Sequence, residues 1–129
     1  MTNKDVRKEI IELINRALEL EHHASLQYLA HAQEIDGLGS EPIIARLKEL
    51  AGDEREHEQK FREMLGDYLD GKPTMKISQT KPAEGTEEIL QTNLNDELEA
   101  IDYYKKVYEK IKENRNALPY SFLQLEHEM

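Results

Sequence analysis

The sequence predicts an all-α protein, an antiparallel bundle of four helices with a long connection between helices 2 and 3 and a shortened fourth helix. Three observations lead to this prediction. Glycine and proline are few, 6 and 4 in 129 residues, while 34 % of the residues are charged. Apolar residues recur at alternating spacings of three and four, which is the pattern of a helix packed on one face. Clusters of glycine and proline interrupt this pattern, and only one of the interruptions is long.

The first two helices are bounded by residues that favour helix ends. Helix 1 covers about residues 3–36 and stops before Gly37, because glycine accepts the left-handed conformation at a helix end. Helix 2 covers about residues 41–70. Ser40 is expected to cap it, and Pro42 falls in its first turn, where a missing N–H group is tolerated.

A long connection separates helix 2 from helix 3. Residues 71–85 contain glycine, proline, threonine and lysine without a helical period. Helix 2 would be about 40–45 Å long, and an extended chain of about 15 residues reaches about 50 Å. The connection can therefore cross the whole bundle, so that helices 2 and 3 lie parallel. Thr86 is expected to cap helix 3 over about residues 87–114, and helix 4 covers about residues 119–129.

The composition narrows the range of functions. The absence of cysteine excludes disulfides, thiolate metal sites, iron–sulfur clusters and a cysteine nucleophile. The net charge is −10 without a basic stripe, so no nucleic acid is expected as a partner, whereas an acidic surface does concentrate cations. No apolar run is long enough for a membrane span, and the N-terminus lacks a signal-peptide core. A cytoplasmic protein without a membrane partner is expected.

Glutamates interrupt the apolar stripes of the first three helices. Glu21, Glu54 and Glu97 each occupy a stripe position in mid-helix, and His57 follows Glu54 by one turn on the same face. A carboxylate in an apolar core is costly or takes up a proton, and three that converge also repel one another. Because a bound cation removes both penalties, these four residues are predicted metal ligands. The alternative is a core that shares protons or bridging water, or a helix rotated to expose its acid.

Helix 1 and helix 3 share a short repeat. Tyr28 follows Glu21 by seven residues, as Tyr104 follows Glu97, and an alanine stands three residues after each glutamate. The repeat coincides with the stripe in both helices and indicates two related helix pairs. Both tyrosines could bond a metal ligand or take part in redox chemistry, although core packing with a bonded hydroxyl is the commoner role.

Three further histidines lie on helix 1. His31 falls on the apolar stripe and is expected to be a core or interface histidine whose ring is hydrogen-bonded. His22 and His23 flank Glu21 and are expected to be exposed, although one of them could hydrogen-bond to a metal ligand without binding the metal itself.

Glu21 with Tyr28, the segment 54–57 and Glu97 resemble the ferritin-like superfamily, and most of all bacterioferritins and rubrerythrin-type di-iron proteins. The resemblance extends over helices 1 to 3. It implies a ferritin-like four-helix bundle that binds two iron ions in its interior, with manganese as the alternative metal. It also implies that Glu54 bridges the two metals, that Glu21 and His57 bind one of them, and that Glu97 serves the other.

The sequence departs from the family pattern in three ways. Glu54 follows Glu21 by 33 residues, and the same step from Glu97 passes Met129, so the second Glu-x-x-His motif is missing. A shortened chain, either a fragment or a natural truncation, is therefore expected. Arg55 stands where bacterioferritins carry a haem-binding methionine, so no haem is predicted. The lack of cysteine excludes the rubredoxin-type iron centre of a complete rubrerythrin.

The resemblance implies three alternative functions. The first is oxidation of ferrous iron by dioxygen or peroxide, a ferroxidase activity with storage or detoxification of ferric iron. The second is a rubrerythrin-like peroxidase or oxidase, and the third is a non-catalytic interaction bundle with an incomplete metal site. A short helix 4 would expose apolar stripes in each case, so a homo-oligomer is expected.

Overall fold

The computed structural model describes residues 3–114, which form three long helices. These are α1 (Asn3–Glu34), α2 (Glu41–Glu63) and α3 (Thr86–Glu113), and α2 continues directly into one π-helical turn, Met64–Tyr68. The helix predicted over residues 119–129 lies outside the described residues. None of the described helices combines the length and apolar character that a bilayer crossing requires.

A short turn joins α1 to α2 and reverses the chain. Gly37 adopts a φ of 103°, which favours glycine and ends the helix as predicted. Ser40 is the residue that precedes α2, as predicted, but its side chain does not cap the helix. The Ser40 hydroxyl donates to the carbonyl of Gly37 at 2.7 Å and therefore makes no side-chain cap bond to α2. Pro42 does lie in the first turn of α2, where its missing N–H group is harmless.

The end of α2 is wound into a π-helical turn that the sequence analysis did not predict. Beyond Met64–Tyr68, the N–H group of Gly71 donates to the carbonyl of Leu65 at 2.7 Å and closes the helix end. A Cβ atom on Gly71 would lie 3.1 Å from Ile11 Cδ1, closer than ordinary van der Waals contact. Glycine therefore lets the end of α2 approach α1 closely at the point where the chain leaves the helix.

The crossover, residues 71–85, runs along the side of α1. Near its beginning the N–H group of Thr74 donates to Asn15 Oδ1 at 2.8 Å, and near its end His31 Nε2 donates to the carbonyl of Lys81 at 3.0 Å. Residue numbers thus rise in the same direction along both segments. The crossover carries the chain back to the end of α1, so that α3 lies antiparallel to α1 and parallel to α2. The predicted long crossover is confirmed.

α3 begins after a glycine and not at the predicted cap. Gly85 is the residue before the helix and adopts φ 83° and ψ 154°, while Thr86 is already helical and no side chain caps the helix. The prediction of a Thr86 cap is wrong because the chain leaves the crossover through a positive φ, which glycine adopts without strain. Glu87 and Glu88 lie in the first turn, where negative charge is favoured by the helix dipole.

Two apolar clusters hold the three helices together, one at each end of the bundle. The cluster at the start of α1 includes Val6, Ile10, Ile14, Ala17, Leu18, Phe61, Met64, Leu65, Leu69, Val107 and Ile111. The cluster at the end of α1 includes Tyr28, Ala32, Ile35, Leu47, Ala51, Ala83 and Ile89. Between them lies a layer of buried polar side chains: Glu21, Ser25, Gln27, Glu54, Glu58 and Asn93. The fold therefore places its polar residues in a middle layer enclosed by apolar packing above and below.

The outer part of the predicted α3 stripe is not packed against α1. Leu90, Leu94 and Ile101 each remain about half exposed in the described part of the chain. The residues of α3 that are buried instead are Ile89, Asn93, Val107 and Ile111. Leu90 and Leu94 line a groove between α2 and α3, on the side of the three described helices that α1 does not cover.

Candidate metal centre

Glu21 lies at the middle of α1 and is only 2 % exposed. One carboxylate oxygen, Oε1, accepts a hydrogen bond from the Tyr104 hydroxyl on α3. The other oxygen, Oε2, is buried and has no hydrogen-bond partner among the described residues. Burial raises the pKa of Glu21 to about 7, the bond from Tyr104 lowers it in part, and the nearby charges of Glu97 and Glu58 raise it further.

Glu54 and His57 come from α2 and stand one helical turn apart. The Glu54 carboxylate is buried, whereas 50 % of the His57 side chain is exposed. His57 Nδ1 lies 3.5 Å from Glu54 Oε2 and 3.6 Å from Glu21 Oε2, at or beyond the limit of a hydrogen bond. One ligand atom from each residue lies within 4.8 Å of the others. Ligands of a single ion bonded at about 2.1 Å are up to about 4.2 Å apart, so small side-chain shifts would suffice for shared coordination.

Glu97 and the two tyrosines form a reciprocal arrangement between α1 and α3. Tyr28, from the helix of Glu21, donates to Glu97 Oε1 at 2.6 Å, and Tyr104, from the helix of Glu97, donates to Glu21. The shared spacing of seven residues explains this pairing, because antiparallel helices place each glutamate opposite the other helix's tyrosine. Glu97 does not belong to the compact group formed by Glu21, Glu54 and His57. Glu97 still lines the same cavity as Glu21 and Glu54.

The hydroxyl groups of Tyr28 and Tyr104 keep their protons and donate hydrogen bonds to Glu97 and Glu21. Burial raises the pKa of Tyr28, and its bond to Glu97 and the surrounding acids raise it further. Burial and the charge of Glu21 likewise raise the pKa of Tyr104. Tyr104 also packs against Phe61 with a ring-centroid separation of 5.6 Å. The tyrosines therefore combine core packing with a bonded hydroxyl, and each fixes one oxygen of a glutamate.

Glu58 is a further buried acid beside these residues that the sequence analysis did not identify. Its Oε1 accepts from the Ser25 hydroxyl at 2.8 Å, and Arg62 approaches its other oxygen at 3.5 Å. Ser25 and Glu58 each stand one turn after a predicted ligand, Glu21 and Glu54 respectively. Positions four residues apart share a helix face, so the same helical pattern predicts that Ser25 lies beside Glu21 and Glu58 beside Glu54.

A second polar network joins α1, α3 and the crossover, and sequence reasoning missed it as well. Asp96 Oδ2 accepts from His23 Nε2 at 2.8 Å and from Gln27 Nε2 at 2.7 Å, and Oδ1 accepts from the Lys81 ammonium. The expectation that His23 is exposed is wrong, because this residue is buried and its Nδ1 donates to the carbonyl of Ser78 at 3.3 Å. The crossover covers this side of α1, which helical periodicity does not reveal.

Asp96 has the opposite electrostatic character to Glu21. Burial alone would raise the pKa of Asp96, but the hydrogen bonds from Lys81, His23 and Gln27 outweigh it and hold the pKa below its usual value. The same bond to Asp96 raises the pKa of Lys81. His23 thus lies between the Asp96 carboxylate and the carbonyl of Ser78 and ties α1 to both α3 and the crossover.

The remaining histidines of α1 also bind the crossover. His31 is buried, and its Nδ1 accepts from Asn93 at 2.9 Å, so the predicted core histidine with a bonded ring is confirmed. His22 is partly buried, which corrects the expectation of an exposed side chain. Its Nδ1 donates to the carbonyl of Lys76 at 2.7 Å, and its Nε2 accepts from Arg62 at 3.0 Å.

Two openings lead to the buried acids. A cavity of about 240 Å³ between α1, α3 and the crossover is lined by Glu21, Glu54 and Glu97. A wider groove of about 490 Å³ between α2 and α3 is lined by Glu54, His57 and Glu97. Small solutes can therefore approach these carboxylates from two sides.

The donor set fits a divalent transition metal. Carboxylate and imidazole groups are ligands that iron and manganese accept, and no thiolate is needed. The strongest indication is Glu21 Oε2, a buried oxygen without a hydrogen bond that lies on the same side as His57 Nδ1 and Glu54 Oε2. A cation among these three atoms would satisfy that oxygen and offset the repulsion between the acids.

The chain matches a protein-family model and is similar to a known bacterioferritin. The family model of the ferritin-like domain matches residues 11–125. The bacterioferritin of Desulfovibrio desulfuricans is 28 % identical over 113 residues, a match that covers 86 % of this chain and 63 % of that protein. The chain thus spans less than two thirds of the length of this relative.

Solved structures share the fold. A ferritin-like, diiron-carboxylate protein from Bacillus anthracis superposes with a TM-score of 0.83 and 28 % identity, covering 95 % of this chain and 86 % of that one. Bacterioferritin from Rhodobacter capsulatus superposes with a TM-score of 0.78 at 24 % identity, covering 93 % and 76 % of the two chains. The arrangement of α1, α2, the crossover and α3 is therefore that of a ferritin-like four-helix bundle.

Proposed function

The chain belongs to the ferritin-like family, and from this premise we propose that it binds iron and oxidises ferrous iron with dioxygen or peroxide. The observation that carries the proposal is the Glu21 carboxylate, which is buried, lacks a hydrogen bond on one oxygen and faces Glu54 and His57. The diiron-carboxylate protein of Bacillus anthracis has this fold at 28 % identity, which supports iron as the metal in preference to manganese.

The residues divide between two ions in this proposal. Glu21 and His57 hold the first, Glu97 holds the second, and Glu54 stands between them. Each ferrous ion would supply one electron, so that two ions with two protons would reduce one molecule of dioxygen to hydrogen peroxide, or one molecule of hydrogen peroxide to two molecules of water. Since Tyr104 and Tyr28 occupy one oxygen of Glu21 and of Glu97, the second oxygen of each glutamate is left for the metal.

The unusual pKa of Glu21 couples metal binding to proton release. A pKa of about 7 leaves Glu21 about half protonated in metal-free protein at neutral pH. A metal ion requires the ionised carboxylate and therefore displaces this proton. Metal affinity is expected to rise with pH until Glu21 is fully ionised.

The proposal extends to the cellular role. Iron storage or detoxification in the cytoplasm by a homo-oligomer is the role we favour, supported by the name of the Desulfovibrio relative and by the half-exposed Leu90 and Leu94. Arg55, which follows Glu54 in α2, remains the basis for expecting no haem.

Replacement of Glu54 by glutamine tests the function. Glu54→Gln keeps the side-chain shape but removes one ligand charge, so the initial rate of ferrous oxidation should fall at least about tenfold, as loss of a metal's supporting groups typically costs about 10–100-fold. The rate is followed by the near-ultraviolet absorbance of ferric iron. Glu63→Gln, an exposed acid at the end of the same helix, is the matched control and should keep the wild-type rate. Equal rates in the two variants would contradict the proposal.

A further inference from the structure

Acidic side chains of α3 and α1 line the cavity beside the crossover at increasing depth. Glu99 is 78 % exposed at its side chain, Asp96 is 12 % exposed, and Glu21 is buried. All three line the same cavity of about 240 Å³, together with Glu54 and Glu97. The carboxylates thus form a series that begins in solvent at Glu99 and ends at the buried Glu21.

The outer part of this series already binds a cation of the protein itself. The Lys81 ammonium on the crossover is hydrogen-bonded to Asp96 and lies 4.0 Å from Glu99. Half of the Lys81 side chain is exposed, so the ammonium can move into solvent without any change in the backbone. The backbone of Lys81 is fixed separately, because its N–H group donates to Gln27 at 2.7 Å and its carbonyl accepts from His31.

We propose that this cavity is the route by which a divalent cation reaches Glu21 and Glu54, with Glu99 and Asp96 as transient ligands and Lys81 as the internal cation that the metal displaces. This inference rests on the proposed metal centre. A metal ion that moves inward exchanges water for one carboxylate at a time. Once it has passed, the ammonium returns to Asp96 and restores the ion pair.

The cavity reaches Glu21, and the groove between α2 and α3 does not. Glu21 lines the cavity but is not among the residues that line the groove. Charge alone does not separate the two openings, since five acids, Lys81 and Arg16 line the cavity, whereas four acids and four leucines line the groove. A hydrated ion in the cavity meets Glu99, Asp96 and Glu21 at successive depths, which favours the cavity as the route to Glu21.

Kinetics can separate a route residue from a ligand. Substitution of a residue that only lines the path changes the association and dissociation rate constants of the metal by the same factor, so the affinity for the metal stays constant. A ligand changes the affinity itself. The probe is Co²⁺, whose binding is followed by the quenching of tyrosine fluorescence in stopped flow, since Tyr28 and Tyr104 lie at the centre and the chain has no tryptophan.

Two variants with matched controls test the route at constant ionic strength. Glu99→Gln should slow Co²⁺ association about threefold, and Lys81→Gln should accelerate it about threefold, because local charge steers an incoming ion. Glu109→Gln and Lys105→Gln make the same charge changes at exposed positions of α3 outside the cavity and should alter the rate far less. Equilibrium titration should give each variant the affinity of its control.

The outcomes distinguish the route from the centre. If wild-type protein binds no Co²⁺, the proposed function fails and the route fails with it. If wild type binds Co²⁺ but Glu99→Gln is no slower than Glu109→Gln, or Lys81→Gln no faster than Lys105→Gln, the route alone is overturned, and access through the groove takes its place. A loss of affinity confined to Glu99→Gln would also overturn it, since Glu99 would then be a permanent ligand.

Discussion

Two carboxylates on the wall of one cavity, Glu21 of α1 and Asp96 of α3, have opposite electrostatic states. Glu21 is surrounded by other acids, and its pKa is raised to about 7. Asp96 is also largely buried, yet hydrogen bonds from Lys81, His23 and Gln27 hold its pKa below the usual value. The two acids differ in the partners that the fold brings to them and not in chemical type.

This difference shows which of the two carboxylates is neutralised by groups of the protein itself and which is not. Asp96 receives the Lys81 ammonium and hydrogen bonds from His23 and Gln27, so its ionised form is favoured in the folded protein. Among the residues that the structure describes, Glu21 receives one tyrosine hydroxyl and pairs with no lysine or arginine, so its ionised form is unfavourable in the metal-free protein. The uncompensated acid is therefore the one expected to bind an external cation.

Removal of the Asp96 carboxylate should have the largest effect on the stability of the fold. Asp96→Asn should lower the free energy of unfolding at pH 7 by about 3 kcal/mol, because Lys81 loses its counter-charge and His23 loses a charged acceptor in a partly buried site. Urea denaturation measures the change. The control is Asp102→Asn on the same helix, whose pair with Lys106 at 3.3 Å is more than 70 % exposed and should contribute less than about 1 kcal/mol. Equal losses in both variants would remove the distinction between the two acids.

The stability of the metal-free protein should depend on pH because of Glu21. The pKa of Glu21 rises from 4.5 in the unfolded chain to about 7 in the folded protein, so the unfolded chain loses its proton first as the pH increases. Stability from this residue is therefore greatest at low pH and is lost as the pH rises through 7. Between about pH 5.5 and 8 the metal-free protein should lose about 2 kcal/mol on this account.

Glu21→Gln should remove this pH dependence and make the metal-free protein more stable than wild type at pH 8. Chelator-treated samples of both proteins, denatured in urea at several pH values, give the comparison. Identical pH profiles would mean that Glu21 is already balanced by a group other than Tyr104.

The smallest effect concerns the single hydrogen bond that Glu21 does receive. Tyr104→Phe should lower stability by about 1 kcal/mol and raise the pKa of Glu21 further, because the hydroxyl favours the ionised carboxylate. Tyr103→Phe is the control, since it also removes one hydrogen bond, from the Tyr103 hydroxyl to the carbonyl of Leu13 at 2.8 Å. Both variants should lose similar stability, but only Tyr104→Phe should move the pH midpoint upward. A shift of equal size in both would contradict the role of Tyr104.

The sequence was sufficient for the main features of the fold. Helical periodicity and Gly37 located α1 and α2, and the reach of residues 71–85 predicted that the crossover spans the bundle. Finer features depend on contacts that periodicity does not encode. The π-helical turn Met64–Tyr68 was not predicted. Nor was it predicted that the Ser40 hydroxyl bonds backward to Gly37, or that Gly85 precedes α3 with a positive φ.

For the candidate centre, the sequence predicted what lies on helix stripes and missed what the crossover brings in. Glu21 and Glu54 interrupt apolar stripes, and both are buried in the structure with His57 beside them. Their role as ligands remains a prediction. Asp96 and His23 lie off the stripes and are buried only because the crossover packs over them, which depends on tertiary structure.

The crossover has a consequence for how this chain can vary. Its contacts with α1 are made mostly by its backbone, at Thr74, Lys76, Ser78 and Lys81, while α1 contributes side chains. A peptide backbone offers the same donors and acceptors whatever residue carries it. Substitutions in the loop itself should thus be well tolerated at most positions, whereas a polar residue such as Gln27 in the helix beneath it has little freedom to change. The sequence of the crossover can therefore vary, whereas the side chains of α1 determine how the two segments associate.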